Sequence, residues 1–322
     1  MTVGWLKMKE KLSIIVNCYN EEETINIFYD TVKKILNQNK IKYEMIFIND
    51  NSIDNTLKVI KKLASSDSNV KYISTSRNFG KEAGIYAGYE HATGDFIVCM
   101  DVDLQDPPIL LPKMYKLLQS GEYDAVATYS VTRNGYSFLR KSFTKLYYFL
   151  LKKATYFNMR EGIRDYRMVN RKVATEILNM KEYSRYSRYL FEYAGFKTYW
   201  IEFENPERVA GNTKWGGKKL LSTAIDGFLQ SDKLLYIPLG LSILNFVLFI
   251  ISIISLIILL AIDKYNTILL ASSIFIFTLT FISGLFTINN LYIARIFNQV
   301  LNRPIYIVGE TNIKNIGEHD EK

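Results

Sequence analysis

Between residues 12 and about 130 the chain alternates short apolar runs with amphipathic stretches, and each apolar run stops at a polar or charged segment. A parallel sheet produces this rhythm, because its strands are buried on both faces and joined by crossover helices. It predicts strands over Leu12–Asn17, Tyr43–Ile48, Val70–Ser74, Phe96–Met100 and Ala125–Thr128. Helices are expected over Glu22–Leu36, Asp54–Ala64, Lys81–His91 and near Leu110–Leu118. Ligands of open α/β sheets bind beyond the carboxyl ends of the strands, so the polar segments there are where chemistry is expected.

The most pointed of these segments is Asp101-Val102-Asp103-Leu104-Gln105-Asp106, directly after Phe96–Met100 and closed by Pro107-Pro108. Hard oxygen ligands of this kind suit Mg²⁺ or Mn²⁺, ions that bridge carboxylates to substrate phosphates. Standing alone, an Asp-x-Asp is more often a solvated acidic loop; its place at a strand end favours the ligand reading. After the first strand comes Tyr19-Asn20-Glu21-Glu22, which also reads as a helix start. After the second comes Asn49-Asp50-Asn51-Ser52-Ile53-Asp54, equally a turn with an N-cap. After the third comes Ser76-Arg77-Asn78-Phe79-Gly80-Lys81, where Arg77 and Lys81 are placed to meet phosphate at a helix N-terminus. Each motif is weak alone, but their order makes a nucleotide-phosphate site coherent. Neither a Gly-x-x-x-x-Gly-Lys-[Ser/Thr] loop nor a Gly-x-Gly-x-x-Gly fingerprint occurs, which removes support for a P-loop ATPase or a dinucleotide oxidoreductase.

Two long stretches near the C-terminus, Leu234–Ile262 and Tyr265–Ala294, contain no charged residue. Each exceeds the roughly 20 residues that cross a bilayer as a helix, and Asp263-Lys264 between them suggests a tight hairpin. Lys218, Lys219 and Lys233 precede the first run, and Arg295 and Arg303 follow the second, against Lys264 alone in the turn. The positive-inside rule then puts both flanks in the cytoplasm. Asn289 and Asn290 fall late in the second run and are given no role. Residues 137–153 mix five basic residues with aromatic and aliphatic ones, as an interfacial helix does, although a core helix with a basic face has the same pattern. The formal charge of +8 fits an anionic membrane or a phosphorylated substrate. Cys18 and Cys99 both fall in expected strands, which predicts buried thiols rather than a disulfide. The first 30 residues carry charges but no long apolar segment, so no cleavable signal peptide is expected.

Taken in order, these segments closely resemble family 2 glycosyltransferases of the GT-A fold. Within that family they are most similar to the polyprenyl-phosphate glycosyltransferases, the group of dolichyl-phosphate mannose synthase and the bactoprenol glucosyltransferases. The resemblance runs from Ser13 to the paired apolar runs. It is carried by residues 16–22, Ile48–Asp54, Ser76–Glu82 and, most specifically, Asp101–Pro108. It continues through Asp165-Tyr166-Arg167 and the segment Arg208-Val209-Ala210-Gly211-Asn212-Thr213-Lys214-Trp215. By this resemblance Tyr19, Asn20, Glu21, Asp50, Asn78, Lys81 and Asp101 meet the donor nucleotide, with Asp50 at the base. Asp101, Asp103 and Gln105 would hold Mg²⁺ or Mn²⁺, and Asp103, Asp165 and Arg167 would be catalytic. Arg133, Arg140, Arg208 and Lys214 would grip the acceptor or the diphosphate. Asn49 and Asn51 depart from the commoner Asp and Gly, and Ser130 stands where many relatives have Arg.

The expected architecture is a GT-A α/β domain with a Rossmann-like, mostly parallel sheet, followed by interfacial helices and two transmembrane helices. The expected boundaries are a cytoplasmic catalytic domain at 1–215, a juxtamembrane amphipathic helix at 216–233, a transmembrane hairpin at 234–296 and a cytoplasmic tail at 297–322. The α/β domain is expected to bind nucleotide without the segments after residue 233. The resemblance implies inverting sugar transfer from a nucleotide-sugar, such as a UDP-hexose or UDP-N-acetylhexosamine, to polyprenyl phosphate at the plasma membrane. A flippase and an outer-face glycosyltransferase would follow, a homo-oligomer is compatible, and no nucleic-acid partner is implied. Asp165 is read as an orienting charge or a base. A processive polysaccharide synthase should show Gln-x-x-Arg-Trp, which is absent. A non-catalytic membrane-anchored nucleotide binder would leave the acidic segment without a purpose.

Overall fold

The computed structural model describes residues 10–130, 160, 162–204, scattered helical positions between 244 and 258, and 267–314. Its centre is an eight-stranded sheet. Strands β1 (Lys11–Cys18), β2 (Lys42–Asn49), β3 (Val70–Thr75) and β4 (Phe96–Asp101) pair in parallel in the order β3-β2-β1-β4. The chain leaves β1 toward β2 on one side and reaches β4 on the other, which creates the crevice where such sheets bind ligands. Beyond β4 come β6 (Ile163–Asn170), antiparallel to it, then β5 (Ala125–Ser130) and β7 (Thr198–Phe203).

Alternation along the strands divides the core into two layers. Leu12, Ile14 and Val16 of β1 face helices α1 (Ile25–Gln38), α2 (Thr56–Ser66) and α4 (Leu111–Gln119), where Phe28, Val32, Ile60 and Met114 are fully buried. Ile15, Ile46 and Ile97 face the other way, onto α3 (Lys81–His91), α5 (Arg171–Asn179) and α6 (Ser187–Ala194). Helix α3 approaches the sheet closely because Gly84 and Gly88 lack side chains. A Cβ on Gly88 would lie 2.2 Å from Ile15 Cγ2, and one on Gly84 would lie 2.3 Å from Asn17 Oδ1. Cys18 and Cys99 are buried free thiols, as their positions in the strands implied.

The expected strands and helices of residues 12–130 are all present, and α3 has the bounds read from the sequence. The C-terminal stretch differs from expectation. Helix α7 (Thr267–Val300) is long and apolar, with Leu270–Val300 at a mean hydropathy of 1.9, and among the described residues it is the one helix suited to crossing a membrane. The first apolar run lies largely outside the described residues, as do 137–153 and 205–233. Within the stretch expected as a tail, Val308–Thr311 forms β8, antiparallel to β3. The α/β domain is therefore not closed by its N-terminal half: its edge strand arrives from beyond α7.

The end of the sheet away from the crevice is fastened by Glu44, whose side chain is 1% exposed. It accepts from Lys11 Nζ (2.8 Å), Ser13 Oγ (2.6 Å), Thr93 N (2.7 Å) and Thr93 Oγ1 (2.9 Å), and it pairs with Lys71 Nζ at 2.6 Å. Burial alone would raise its pKa, but these donors prevail and bring it down to about 2 from 4.5. The stabilisation is fully present above pH 4.5 and is lost as pH falls through about 2. Glu44→Gln should cost on the order of 3 kcal/mol at pH 7. In melts of the detergent-solubilised protein, the gap to wild type should narrow steadily below pH 5 or so, whereas a gap independent of pH would refute the assignment.

Candidate active site

The carboxyl ends of β1 to β4 form one row. In register, Asn17 stands beside Asp101 and Ile48, and Asn49 beside Cys18 and Ser74. Strand β6 runs the other way and pairs Arg167 with Cys99. Continuing that register by two residues brings Asp165 across from Asp101, so two carboxylates face each other at the crevice.

Lys81, the first residue of α3, resolves the repulsion. Its Nζ lies 2.6 Å from Asp101 Oδ1 and 2.8 Å from Asp165 Oδ2. Arg188, in the first turn of α6, holds Asp165 from the other side, with Nε to Oδ1 at 2.7 Å and Nη2 to Oδ2 at 3.1 Å. This is the bidentate geometry that guanidinium and carboxylate favour. Burial would raise the Asp165 carboxyl, but Arg188 and Lys81 outweigh it and hold the group well below the usual carboxylate range. Desolvation likewise pulls against Lys81, and Asp101 and Asp165 raise it well above its usual value. Asp165 is thus held as a carboxylate between two cations.

Further polar contacts surround this pair. Asp106 is buried, accepts from the backbone N–H of Asp101 at 3.0 Å and meets Arg164 at 3.4 Å. Burial and the neighbouring Asp101 push it up to about 6. Glu82 accepts from both the N–H and the hydroxyl of Ser187, tying α3 to α6 beside Arg188. Leu104 adopts a left-handed φ of 58°, unusual for a bulky residue, so the acidic turn is held in a strained shape by its surroundings. Asp103 Oδ1 accepts from the N–H of Gln105 at 3.1 Å, and both residues are half-buried on this turn.

The other expected donor residues knit the neighbouring strand ends together. Asp50 is buried and accepts from Phe79 N (2.7 Å), Gly80 N (2.8 Å) and Thr75 Oγ1 (3.1 Å), while Asn78 Nδ2 donates to its backbone oxygen. Gly80 has a φ of 92°, which a side chain would strain, and this turns its N–H onto Asp50. Asn20 Oδ1 accepts from Ile53 N, and the Asn20 and Glu21 N–H groups donate to Ser52 and Thr56. Tyr19 is exposed at this end of β1. The departures at Asn49 and Asn51 have physical reasons. Asn51 takes a left-handed φ of 53°, which Asn tolerates better than most residues, and Asn49 bridges Ser74 Oγ and Ser52 N.

Arg167, also expected to be catalytic, lines a small cavity together with Asp165, Arg164 and Arg188. It is 2% exposed, pairs with Glu192 at 3.0 Å and lies over the rings of Phe191 and Trp200. Two residues further into β6 than Asp165, it supports the site from within the core. Arg133, Arg140, Arg208 and Lys214 lie outside the described residues. Arg164 and Arg188 were not singled out by the sequence. The one available signal was a cation in the first turn of α6, a position the helix dipole disfavours unless an anion faces it.

The family model described as "Glycosyl transferase family 2" matches residues 13–178, just over half of the chain. The chain is 34% identical over 302 residues to the uncharacterized glycosyltransferase YkcC of Bacillus subtilis (strain 168), covering 92% of each. It is 38% identical over 217 residues to the prophage bactoprenol glucosyl transferase homolog of Escherichia coli (strain K12), covering 67% of this chain and 71% of that one. It is 32% identical over 307 residues to the SfII prophage-derived bactoprenol glucosyl transferase of Shigella flexneri, covering 94% and 98%.

Removing the shared ammonium tests the bridge. Lys81→Met should destabilise the protein by roughly 1–3 kcal/mol, because two facing carboxylates then keep Arg188 alone. Combined with Asp165→Asn, the loss should be less than additive by about 1 kcal/mol or more. Additive losses in denaturant titrations would show that the two groups do not interact.

Proposed function

The chain belongs to glycosyl transferase family 2, and we propose that it moves a hexose or N-acetylhexosamine from a UDP-sugar to polyprenyl phosphate, inverting the anomeric centre. The observation that carries the reading is the pairing of the Asp165 carboxylate with both Arg188 and Lys81. Transfer to a sugar hydroxyl calls for a general base near the attacking oxygen. A phosphate monoester, with a second pKa near ~6, is already largely anionic at neutral pH and needs none. Asp165 then serves as an electrostatic partner for the positive character that develops at the anomeric carbon. The Shigella relative is named for a bactoprenol acceptor, which favours the same substrate class here.

The donor nucleotide is assigned to the crevice lined by Asp50 and the Asn78–Lys81 turn, with its diphosphate toward the acidic segment. Asp101, Asp103 and Gln105 offer hard oxygens suited to Mg²⁺ or Mn²⁺. Mg²⁺ in phosphate-transferring sites takes one or two carboxylates and completes its shell from phosphate and water. When bound, such an ion offsets the charge growing on the leaving diphosphate. Arg133, Arg140, Arg208 and Lys214 remain candidates for the acceptor phosphate, because Arg and Lys suit anionic oxygens. The product would be a lipid-linked monosaccharide for envelope glycosylation, consumed after a flippase by an outer-face glycosyltransferase.

The sheet also supports a membrane hairpin. Strands β7 and β8 belong to one sheet, so residues 203 and 308 lie on the same side of any bilayer. The number of crossings between them must then be even. If α7 crosses once, a second crossing is required upstream, and the uncharged run Leu234–Ile262 is long enough to supply it. The Lys and Arg flanks put the catalytic side in the cytoplasm and Asp263–Asn266 outside.

Two experiments test this reading. With radiolabelled UDP-glucose or UDP-N-acetylglucosamine and undecaprenyl phosphate, label should enter the organic phase, and Asp103→Asn should lower the rate roughly a hundredfold to a thousandfold. Transfer to a soluble sugar instead, or full activity with EDTA, would overturn the acceptor or the metal assignment respectively. For topology, a Cys placed at Lys264 should react with an impermeant maleimide on intact cells, and protection of that site would reverse the orientation.

A further inference from the structure

The segment after α7 does more than add an edge strand. At the end of the helix, Gln299 Oε1 accepts from Tyr183 N at 2.8 Å, and Gln299 Nε2 donates to Lys181 O at 2.9 Å. Asn302, with a left-handed φ of 46°, then turns the chain. Ile305 enters a cleft with Arg77, Phe79, Glu82 and Arg185, at the N-terminal end of α3. The Tyr306 hydroxyl donates to Glu90 at 2.5 Å and lies 2.7 Å from His91 Nε2, at the other end of α3. Ser76 N donates to Ile307 O at 2.9 Å. Farther along, Asn312 Oδ1 accepts from Tyr72 N and Asn312 Nδ2 donates to Val70 O.

An edge strand needed only for stability could stop at β3. This one continues its contacts into the loop that carries the donor residues. A Cβ on Gly309 would meet Ser76 N and Ser76 Cα at 3.3 Å and Ser74 O at 3.4 Å, all backbone atoms with little freedom to withdraw. From Ser76 the path to the site is short: Thr75, Phe79 and Gly80 all donate to Asp50, and Lys81 follows directly.

We propose that residues 299–313 are a positioning strap: they fix the Ser76–Gly80 loop from the membrane-helix end of the chain and thereby set the affinity for the donor nucleotide. The proposal rests on the assignment of that loop to the nucleotide donor. Gly309→Val tests it, because the added carbons press on Ser76 without touching any residue assigned to the crevice. Full-length protein in nanodiscs would be titrated with UDP, and KM for the UDP-sugar measured alongside kcat. The expected result is a rise of about tenfold in both the UDP Kd and the donor KM, with kcat close to wild type. Lys61→Ala removes the exposed Lys61–Glu310 bridge on the same strand and should change neither.

Hydrogen exchange separates the two layers of the claim. The amides of Ser76, Phe79 and Gly80 should exchange faster in Gly309→Val, whatever nucleotide the protein binds. If wild type binds no UDP but exchange at these amides still quickens, the donor reading fails and the strap stands as a support of the loop. Unchanged exchange with unchanged Kd would overturn the strap. Should Gly309→Val fail to fold, Tyr306→Phe removes only the hydroxyl contacts to Glu90 and His91. It should raise the UDP Kd about threefold, and an unaltered Kd and exchange pattern in that variant would likewise refute the proposal.

Discussion

One ammonium group, Lys81 Nζ, permits the crevice to exist. The parallel strand β4 delivers Asp101 to the end of the sheet, and the antiparallel β6 delivers Asp165 opposite it. Two close carboxylates would otherwise force one of them to take a proton. Lys81 sits within 2.8 Å of both, and Arg188 completes the neutralisation of Asp165. Each cation begins a helix, where the dipole repels positive charge. Each is therefore held there by its carboxylate partners rather than by helix preference. The result is a lattice of paired charges at the crevice.

The position of Lys81 is set by packing far from any charge. Helix α3 can lie close to β1 only because Gly84 and Gly88 leave room for Asn17 and Ile15. A larger residue at either position would push the helix away and lengthen the bridge to Asp101. The loop before the helix is fixed by Asp50, which gathers two N–H groups and a hydroxyl. A side chain expected to meet the nucleobase thus also shapes the turn that carries Asn78 and Lys81. The expected donor contacts and the charge bridge share one piece of backbone.

The first 130 residues were largely legible because their signals are local. Apolar runs, helical periodicity and polar strand ends each lie within a few residues of one another, and α3 was read to its final residue. The acidic segment and the Asp165 segment were legible through family resemblance. What was not legible depends on pairing across long separations. Arg188 is 23 residues from Asp165, with no spacing rule to connect them. Arg167 was expected beside Asp165 through the same family resemblance. Its depth in the sheet, set by pairing with Cys99 rather than Asp101, turns it into a core ion pair with Glu192. Strand β8 was hidden for the same reason, since its partner β3 lies more than two hundred residues away in sequence.

That hidden strand changes the relation between catalytic domain and anchor. In the sequence, a soluble-looking α/β half precedes a membrane half, and the two suggest a module on a tether. The sheet closes them into a circuit, since both β7, before the apolar segments, and β8, after α7, belong to it. A tether transmits only proximity, whereas a circuit transmits position. Gln299 at the end of the apolar helix binds the Lys181–Tyr183 turn, five residues before Arg188, while Ile307 binds Ser76, five residues before Lys81. The two cations that hold Asp165 are thus both reached from α7 through short runs of backbone. The proposed transfer, from a donor in water to an acceptor in a bilayer, has to align the two, and this connection supplies a direct physical means of doing so.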